Sequence, residues 1–264
     1  MPELPDVEVF KQYLDATALH QEIKEVDVRS SQLLEGISAA RLRQGLEGRR
    51  FTSTRRHGKN LFAALDGGKW LFLHFGMTGS LSYFKHREDD PEYDRLLISF
   101  ANGYHLAYVS QCKLGELDLI ESVDDFIEQE HLGPDALNDL DRETIKNLAS
   151  GRRMMAKSFL MDQKTLAGIG NVYSDEILFQ SGIHPRTKID RLGEEAVQRV
   201  YEKMQEVLHT AIDCRAEPEQ FPDDYIIPHR HPDGHCPLCG TPVERVKVSG
   251  RYAYYCPNRQ GQSV

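Results

Sequence analysis

Three cysteines near the C-terminus raise the first chemical question. HCPLCGTPVERVKVSGRYAYYCPNRQ, residues 235–260, opens with Cys236 and Cys239 separated by two residues and returns with Cys256 after sixteen more. Thiolates at that spacing bind Zn2+, but a closed structural zinc site takes four ligands. Arg259 stands where a second C-x-x-C pair would place the fourth, which leaves His235, His231, His229, a water molecule or nothing. A second pair, Pro2 and Glu3, lies at the other end of the chain. Once Met1 is removed, a prolyl secondary amine is a nucleophile that forms an iminium directly on a sugar C1′, and the adjacent carboxyl can serve as general acid or base. A third motif, GIGN at 168–171, precedes a helical stripe, so that the backbone N–H groups and amide around Gly170 and Asn171 could hold a phosphate at a helix N-terminus.

The elements that carry these residues follow from periodicity. Val7, Phe10, Leu14 and Ala18 mark a first helix over about 5–19. From about 22 to 121 the chain alternates in strand-like runs separated by DGG and ANG turns. The acidic stretch 122–141, broken by Gly133-Pro134, reads as a linker, and helices are expected at 142–149, 154–163, 172–181 and 193–214. Residues 215–234 contain four prolines and no sustained period, and the cysteine-bearing hairpin closes the chain.

With 264 residues, two domains and a small appendage are expected. The five cysteines suit a reducing compartment better than a disulfide framework, and neither a signal segment nor a run of about 18 apolar residues is present, so a cytoplasmic protein without a membrane partner is expected. The net charge of -9 argues mildly against nucleic acid, yet residues 41–59 hold seven Arg or Lys against one Glu while 116–143 hold eleven Asp or Glu against one Arg. One face can therefore be basic on an acidic whole.

Taken together, PELPDVE at 2–8, Lys59 after a basic strand, HFGMTGSL at 74–81, LGPDAL at 132–137, Lys157, the block DQKTLAGIGNVYSDEILFQSGIHP at 162–185 and the C-terminal ribbon resemble the formamidopyrimidine-DNA glycosylase and endonuclease VIII family over nearly the whole chain. The resemblance implies an α+β multidomain fold. A catalytic β-sandwich with its first helix would occupy 1–121, the acidic linker 122–141, a helix-two-turn-helix domain and loop 142–233, and a zinc-ribbon-like β-hairpin 234–264.

It also implies base-excision repair. A damaged nucleotide is extruded from double-stranded DNA, Pro2 forms a Schiff base with C1′, Glu3 assists ring opening, and Lys59 holds a nearby phosphate and helps protonate the leaving or ring oxygen. β- and δ-elimination then cut both sides of the abasic sugar, by a monomer acting on oxidised or ring-opened bases. By the same resemblance Lys157 and Asn171 contact phosphate, Met77 fills the gap left by the extruded base, and Arg251 reaches the phosphate beside the lesion. Cys236, Cys239 and Cys256 hold Zn2+, with His235 the nearest substitute for a fourth ligand.

The chain departs from the family in four places. SQCKLG at 110–115 puts Cys112 where an arginine reads the opposite base, so that Lys113 is the only base-edge donor nearby and Leu114 replaces a phenylalanine. The loop before the ribbon is short, Asp6 replaces the usual Glu, and the fourth cysteine is missing. These departures sustain an alternative, a binding protein for damaged or abasic DNA that excises weakly or not at all.

Overall fold

A computed structural model describes residues 1–261, which fall into two compact units. The first comprises Met1–Pro2 and Asp6–Glu130. Helix α1 (Leu4–Thr17) buries Val7 and Leu14 on its inward stripe. One sheet has the order β1 (Ile23–Val28), β6 (Asp94–Phe100), β7 (His105–Val109), β5 (Ser80–Phe84), and the other β2 (Phe51–His57), β3 (Asn60–Leu65), β4 (Trp70–His74), β8 (Glu116–Ile120). Every pairing is antiparallel. Residues two apart share a face, and Leu61, Ala63, Leu71 and Leu73 from one sheet join Leu96, Ile98, Leu106 and Tyr108 from the other in a single buried cluster. This is the expected sandwich.

Two helices were not legible in the sequence. Helix α2 (Ala39–Leu46) lies largely within the basic run; its N-terminus is capped by the Ser38 side chain, which accepts from Arg41 N at 3.3 Å, and Leu42 and Leu46 are buried. Helix α3 (Val123–Gln129) forms in the stretch read as a linker, where Phe126 packs on Phe62 and Phe72 with ring centroids 5.4 and 4.6 Å away. Phe62 and Phe72 belong to the other face of β3 and β4, so a few apolar residues among acidic ones suffice to dock the helix. The division between the units accordingly falls after Glu130.

The second unit comprises Glu3–Pro5 and the chain from His131. Helices α4 (Arg142–Ala149), α5 (Ala156–Met161), α6 (Asn171–Ser181) and α7 (Glu194–Asp213) lie close to the expected spans. The apolar stripe of α7, Val197, Val200, Met204, Val207, Leu208 and Ala211, faces the core. Helix α6 is buried on nearly all sides, including the polar Ser174, Asp175 and Glu176, and Leu4 packs into the same core. Strands β9 (Glu244–Val248) and β10 (Arg251–Tyr255) form the hairpin, followed by the short α8 (Pro257–Gln260). Ser249 and Gly250 both have positive φ, 46° and 84°, as a two-residue turn matching strand twist requires. No described helix is long and apolar enough to cross a membrane.

Candidate active site

The start of the chain is fixed by one carboxylate. Glu3 is 2% exposed, its Oε2 accepts from Gly170 N at 2.7 Å and Tyr173 N at 3.3 Å, and its Oε1 accepts from Val172 N at 2.8 Å. Gly170, at the N-cap of α6, has no side chain to satisfy the orphan N–H groups of the first turn. Glu3 supplies that cap from 167 residues away, at the positive end of the helix. The N–H groups read from sequence as phosphate donors are thus already engaged, a correction that follows from burial of Glu3.

The loop before α6 is built to receive this segment. Gln163 braces it, donating to Met161 O and Ile169 O and accepting from Gly168 N at 3.0 Å. Leu4 N donates to Gly168 O at 3.0 Å, and a Cβ at Gly168 (φ +116°) would lie 2.5 Å from Leu4 Cδ1. Only glycine fits there.

Lys157 also departs from expectation. Its side chain is fully buried, and Nζ donates to Asn171 O at 3.0 Å, Ser174 Oγ at 2.9 Å and Asp175 Oδ1 at 2.6 Å. Burial lowers its pKa, and Asp175 opposes that shift. The ammonium clamps the first turn of α6 instead of facing solvent. Asp175 carries the same network outward: Oδ2 accepts from Arg230 Nε and Nη2 at 3.0 and 2.9 Å and from Tyr254 N, in β10, at 3.0 Å. Arg230 also donates to Asn171 O at 3.2 Å. Neither Asp175 nor Arg230 was singled out from sequence, because nothing in the pattern marks which polar residues of a helix will be buried. Asn171 Oδ1 is buried without a hydrogen-bond partner.

In the first unit, Arg56 is 5% exposed, pairs with Glu8 of α1 at 2.8 Å and donates to Gly58 O at 3.0 Å. It thereby shapes the β2–β3 turn that carries Lys59. The His74 pKa is lowered by burial and, second, by the charge of Lys59. Met77 and Leu114 are 53% and 55% exposed, among the few large apolar side chains that reach solvent. Their loops are locked together: Cys112 N donates to Thr78 Oγ1 at 3.1 Å, and a Cβ at Gly76 would fall 2.4 Å from the Leu114 carbonyl. Lys113 takes a left-handed backbone, φ +52°.

Arg251 is exposed beside the hairpin turn. That turn is tethered by Ser249 Oγ to Ser158 Oγ at 2.8 Å and by Arg186 Nη2, which donates to Lys247 O at 3.0 Å. Behind it the sulfurs of Cys236, Cys239 and Cys256 lie within 4.8 Å of one another, the Cys239–Cys256 separation being 3.5 Å. Tetrahedral zinc with Zn–S near 2.3 Å sets its sulfurs roughly 3.8 Å apart, so the three thiols fit three corners. Among the described residues no His, Asp or Glu joins that group. His235 is exposed, with Nδ1 3.1 Å from Asp233 O.

A β-sandwich, a helical unit whose central helix is capped by the chain start, and a three-thiol ribbon define a DNA-glycosylase architecture of three modules. Residues 1–117 match the formamidopyrimidine-DNA glycosylase N-terminal domain, 132–222 the formamidopyrimidine-DNA glycosylase H2TH domain, and 235–258 the zinc finger found in FPG and IleRS. A formamidopyrimidine-DNA glycosylase of Nitrosococcus oceani is 32% identical over 275 residues, covering 98% of this chain and 100% of that one. Another, of Arabidopsis thaliana, is 28% identical over 278 residues, covering 98% and 71%. The solved complex of the LlFpg protein with a THF-DNA and an inhibitor superposes with a TM-score of 0.89 at 25% identity, covering 99% of this chain and all of that one. The Lactococcus lactis Fpg bound to abasic-site DNA gives 0.89 at 24% identity, covering 98% and 100%, and attests the same fold. The chain belongs to the formamidopyrimidine-DNA glycosylase family.

Proposed function

We infer that this protein is a base-excision repair enzyme, a DNA glycosylase with abasic-site lyase activity that acts on duplex DNA carrying ring-opened or oxidised bases. The observation that carries this reading is the Glu3 carboxylate, buried at the N-terminus of α6 and one peptide bond from Pro2. Relatives over the full length are formamidopyrimidine-DNA glycosylases, and the Lactococcus lactis protein was solved with an abasic site.

With Met1 removed, the Pro2 nitrogen bonds to C1′ as the bond from C1′ to the base breaks and the base leaves with a proton. Opening of the sugar ring breaks the bond from C1′ to O4′, and O4′ takes a proton that Glu3 relays. The resulting iminium acidifies C2′; loss of that proton expels the 3′ phosphate, and a second elimination expels the 5′ phosphate. Water then hydrolyses the imine and regenerates the amine. Lys59 steadies a phosphate near the reacting sugar and helps protonate the departing oxygen.

Asn171 meets the DNA backbone through its side-chain NH2, which donates to a phosphate oxygen, and Lys157 acts through it by fixing its backbone carbonyl. Met77 and Leu114 occupy the space of the extruded base, and Arg251 contacts the flanking phosphate. With Cys112 exposed and no arginine in that loop, reading of the opposite base rests on Lys113. Cys236, Cys239 and Cys256 hold the metal, which supplies a structural crosslink beneath the hairpin. The enzyme works where DNA is found and thiols stay reduced, in the cytoplasm.

The test is borohydride trapping on duplexes that carry an abasic site, a formamidopyrimidine or an oxidised pyrimidine. Trapping on a base lesion, with both phosphates released, is the expected result. Trapping on the abasic duplex alone would leave a lyase, and no trapping by Met-processed protein would remove Pro2 from its role.

A further inference from the structure

In a four-thiolate ribbon the metal itself joins the first cysteine pair to the second. Here the residue three positions after Cys256 is Arg259, whose guanidinium is never a metal ligand at physiological pH, and the ribbon nevertheless closes. Protein groups make the junction. Gln260 is 4% exposed; its Oε1 accepts from Cys256 N at 2.8 Å and its Nε2 donates to Ile183 O at 2.9 Å. One amide thus ties the end of α8 back onto Cys256 and onto the segment that follows α6.

Arg259 is turned to Phe179 of α6, its guanidinium carbon 5.8 Å from the ring centroid. Its backbone N–H donates to Cys256 O at 3.3 Å, and that of Gln260 to the same carbonyl at 3.0 Å. Phe179, Ile226 and Val243 pack with Cys236 and Cys256 into a small apolar core. Cys239, in contrast, is exposed. Solvent therefore reaches the thiol cluster at Cys239, whose sulfur otherwise meets Thr241 Oγ1 at 3.2 Å, while the closing of the hairpin that a fourth cysteine would perform falls to Gln260.

We propose that this ribbon is a three-thiolate metal site with an exchangeable fourth position, and that Gln260 and Arg259 hold the hairpin closed whether or not metal is bound. Cys236, Cys239 and Cys256 lose their thiol protons and ligate a soft divalent ion, and an external ligand from solvent completes the shell. The hairpin that presents Arg251 survives loss of the metal. A ribbon whose folding energy came from the ion would unfold instead.

Cobalt-substituted full-length protein tests the site directly, because the visible bands of Co2+ report its ligands. The wild-type spectrum is expected to shift when imidazole is added. Arg259→Cys is expected to strengthen the sulfur-to-cobalt band, to abolish the response to imidazole and to slow zinc release to a chelator at least about tenfold. In a second measurement, amide exchange over residues 244–255 stays protected after chelation in the wild type. In Gln260→Ala it is protected with metal and lost without it.

A cobalt spectrum indifferent to imidazole would show that another side chain completes the shell. Failure to take up Co2+ or Zn2+ would remove the site, and loss of hairpin protection on chelating the wild type would remove the role of Gln260. Each of these outcomes overturns the proposal.

Discussion

Replacing Asp175 with Asn preserves its shape and removes half of its accepting capacity. Asp175 serves four donors: Lys157 Nζ on Oδ1, and Arg230 Nε, Arg230 Nη2 and Tyr254 N on Oδ2. Whichever way the new amide turns, its NH2 faces a donor. If the oxygen stays with Lys157, the NH2 confronts Arg230 and the β10 backbone; if it turns, a fully buried ammonium keeps only Asn171 O and Ser174 Oγ.

Removing one partner of a buried ion pair costs about 3–5 kcal/mol, a large share of the roughly 5–15 kcal/mol that holds a domain together. Because the chain has two compact units, the appropriate assay is local: amide exchange in α6 and β10, converted to opening free energies. Adding Lys157→Met to Asp175→Asn removes the stranded charge and is expected to recover at least half of the loss. The pH dependence has a definite sign. Burial lowers the Lys157 pKa below its unfolded value, so the penalty belongs to the charged form; it is full below the folded pKa of the variant and fades as pH rises to the unfolded one. A loss below about 1 kcal/mol at neutral pH, where a net hydrogen bond alone would account for it, or no recovery in the double variant, would refute the view that this carboxylate neutralises the core of the helical unit.

Three further outcomes are expected. Glu3→Gln should slow single-turnover strand cleavage at least about 100-fold while binding to an uncleavable abasic analogue falls much less; an equal fall in both would assign Glu3 to folding alone. Glu176 is buried, which pushes its pKa up to about 8, with Oε1 accepting from Gln180 and Oε2 from Ile227 N. The unfolded chain ionises near 4.5 while the folded one keeps the proton, so this group makes stability fall by up to about 1.4 kcal/mol per pH unit between those values, and Glu176→Gln should flatten the profile when unfolding is measured from pH 4.5 to 8. Arg251→Ala should weaken binding to every lesion alike and reduce the salt slope of log K by about one, whereas a lesion-selective loss in a fluorescence titration would argue against a phosphate contact.

Much of the scaffold was legible because it rests on local rules. The continuous apolar runs of β3 and β4 and the apolar stripe of α7 are readable as strings, and the GIGN turn announced the start of α6. What escaped depends on tertiary placement. Phe126 docks α3 although the surrounding acidic residues read as a linker, and α2 was hidden by its basic side chains. Lys157 was expected at a phosphate and is found buried, since a sequence does not say whether a lysine beside a helix start faces solvent or a carboxylate of the next helix. Gln163, Asp175 and Arg230, which hold the site together, carry no spacing signature at all. In the ribbon, three converging thiols were foreseen; the closing amide of Gln260 was not.

The order in which a ribosome delivers the chain gives the Glu3 cap a temporal meaning. The carboxylate emerges among the first residues, but the helix end that receives it follows 167 residues later. At a synthesis rate of roughly 5–20 residues per second, that interval is on the order of 10 to 30 s. Throughout it the N-terminal segment, Met1 and Pro2 included, lacks the anchor that Glu3 later provides. The chain start thus gains its anchor only after the whole of the first unit and the first two helices of the second, α4 and α5, have been made.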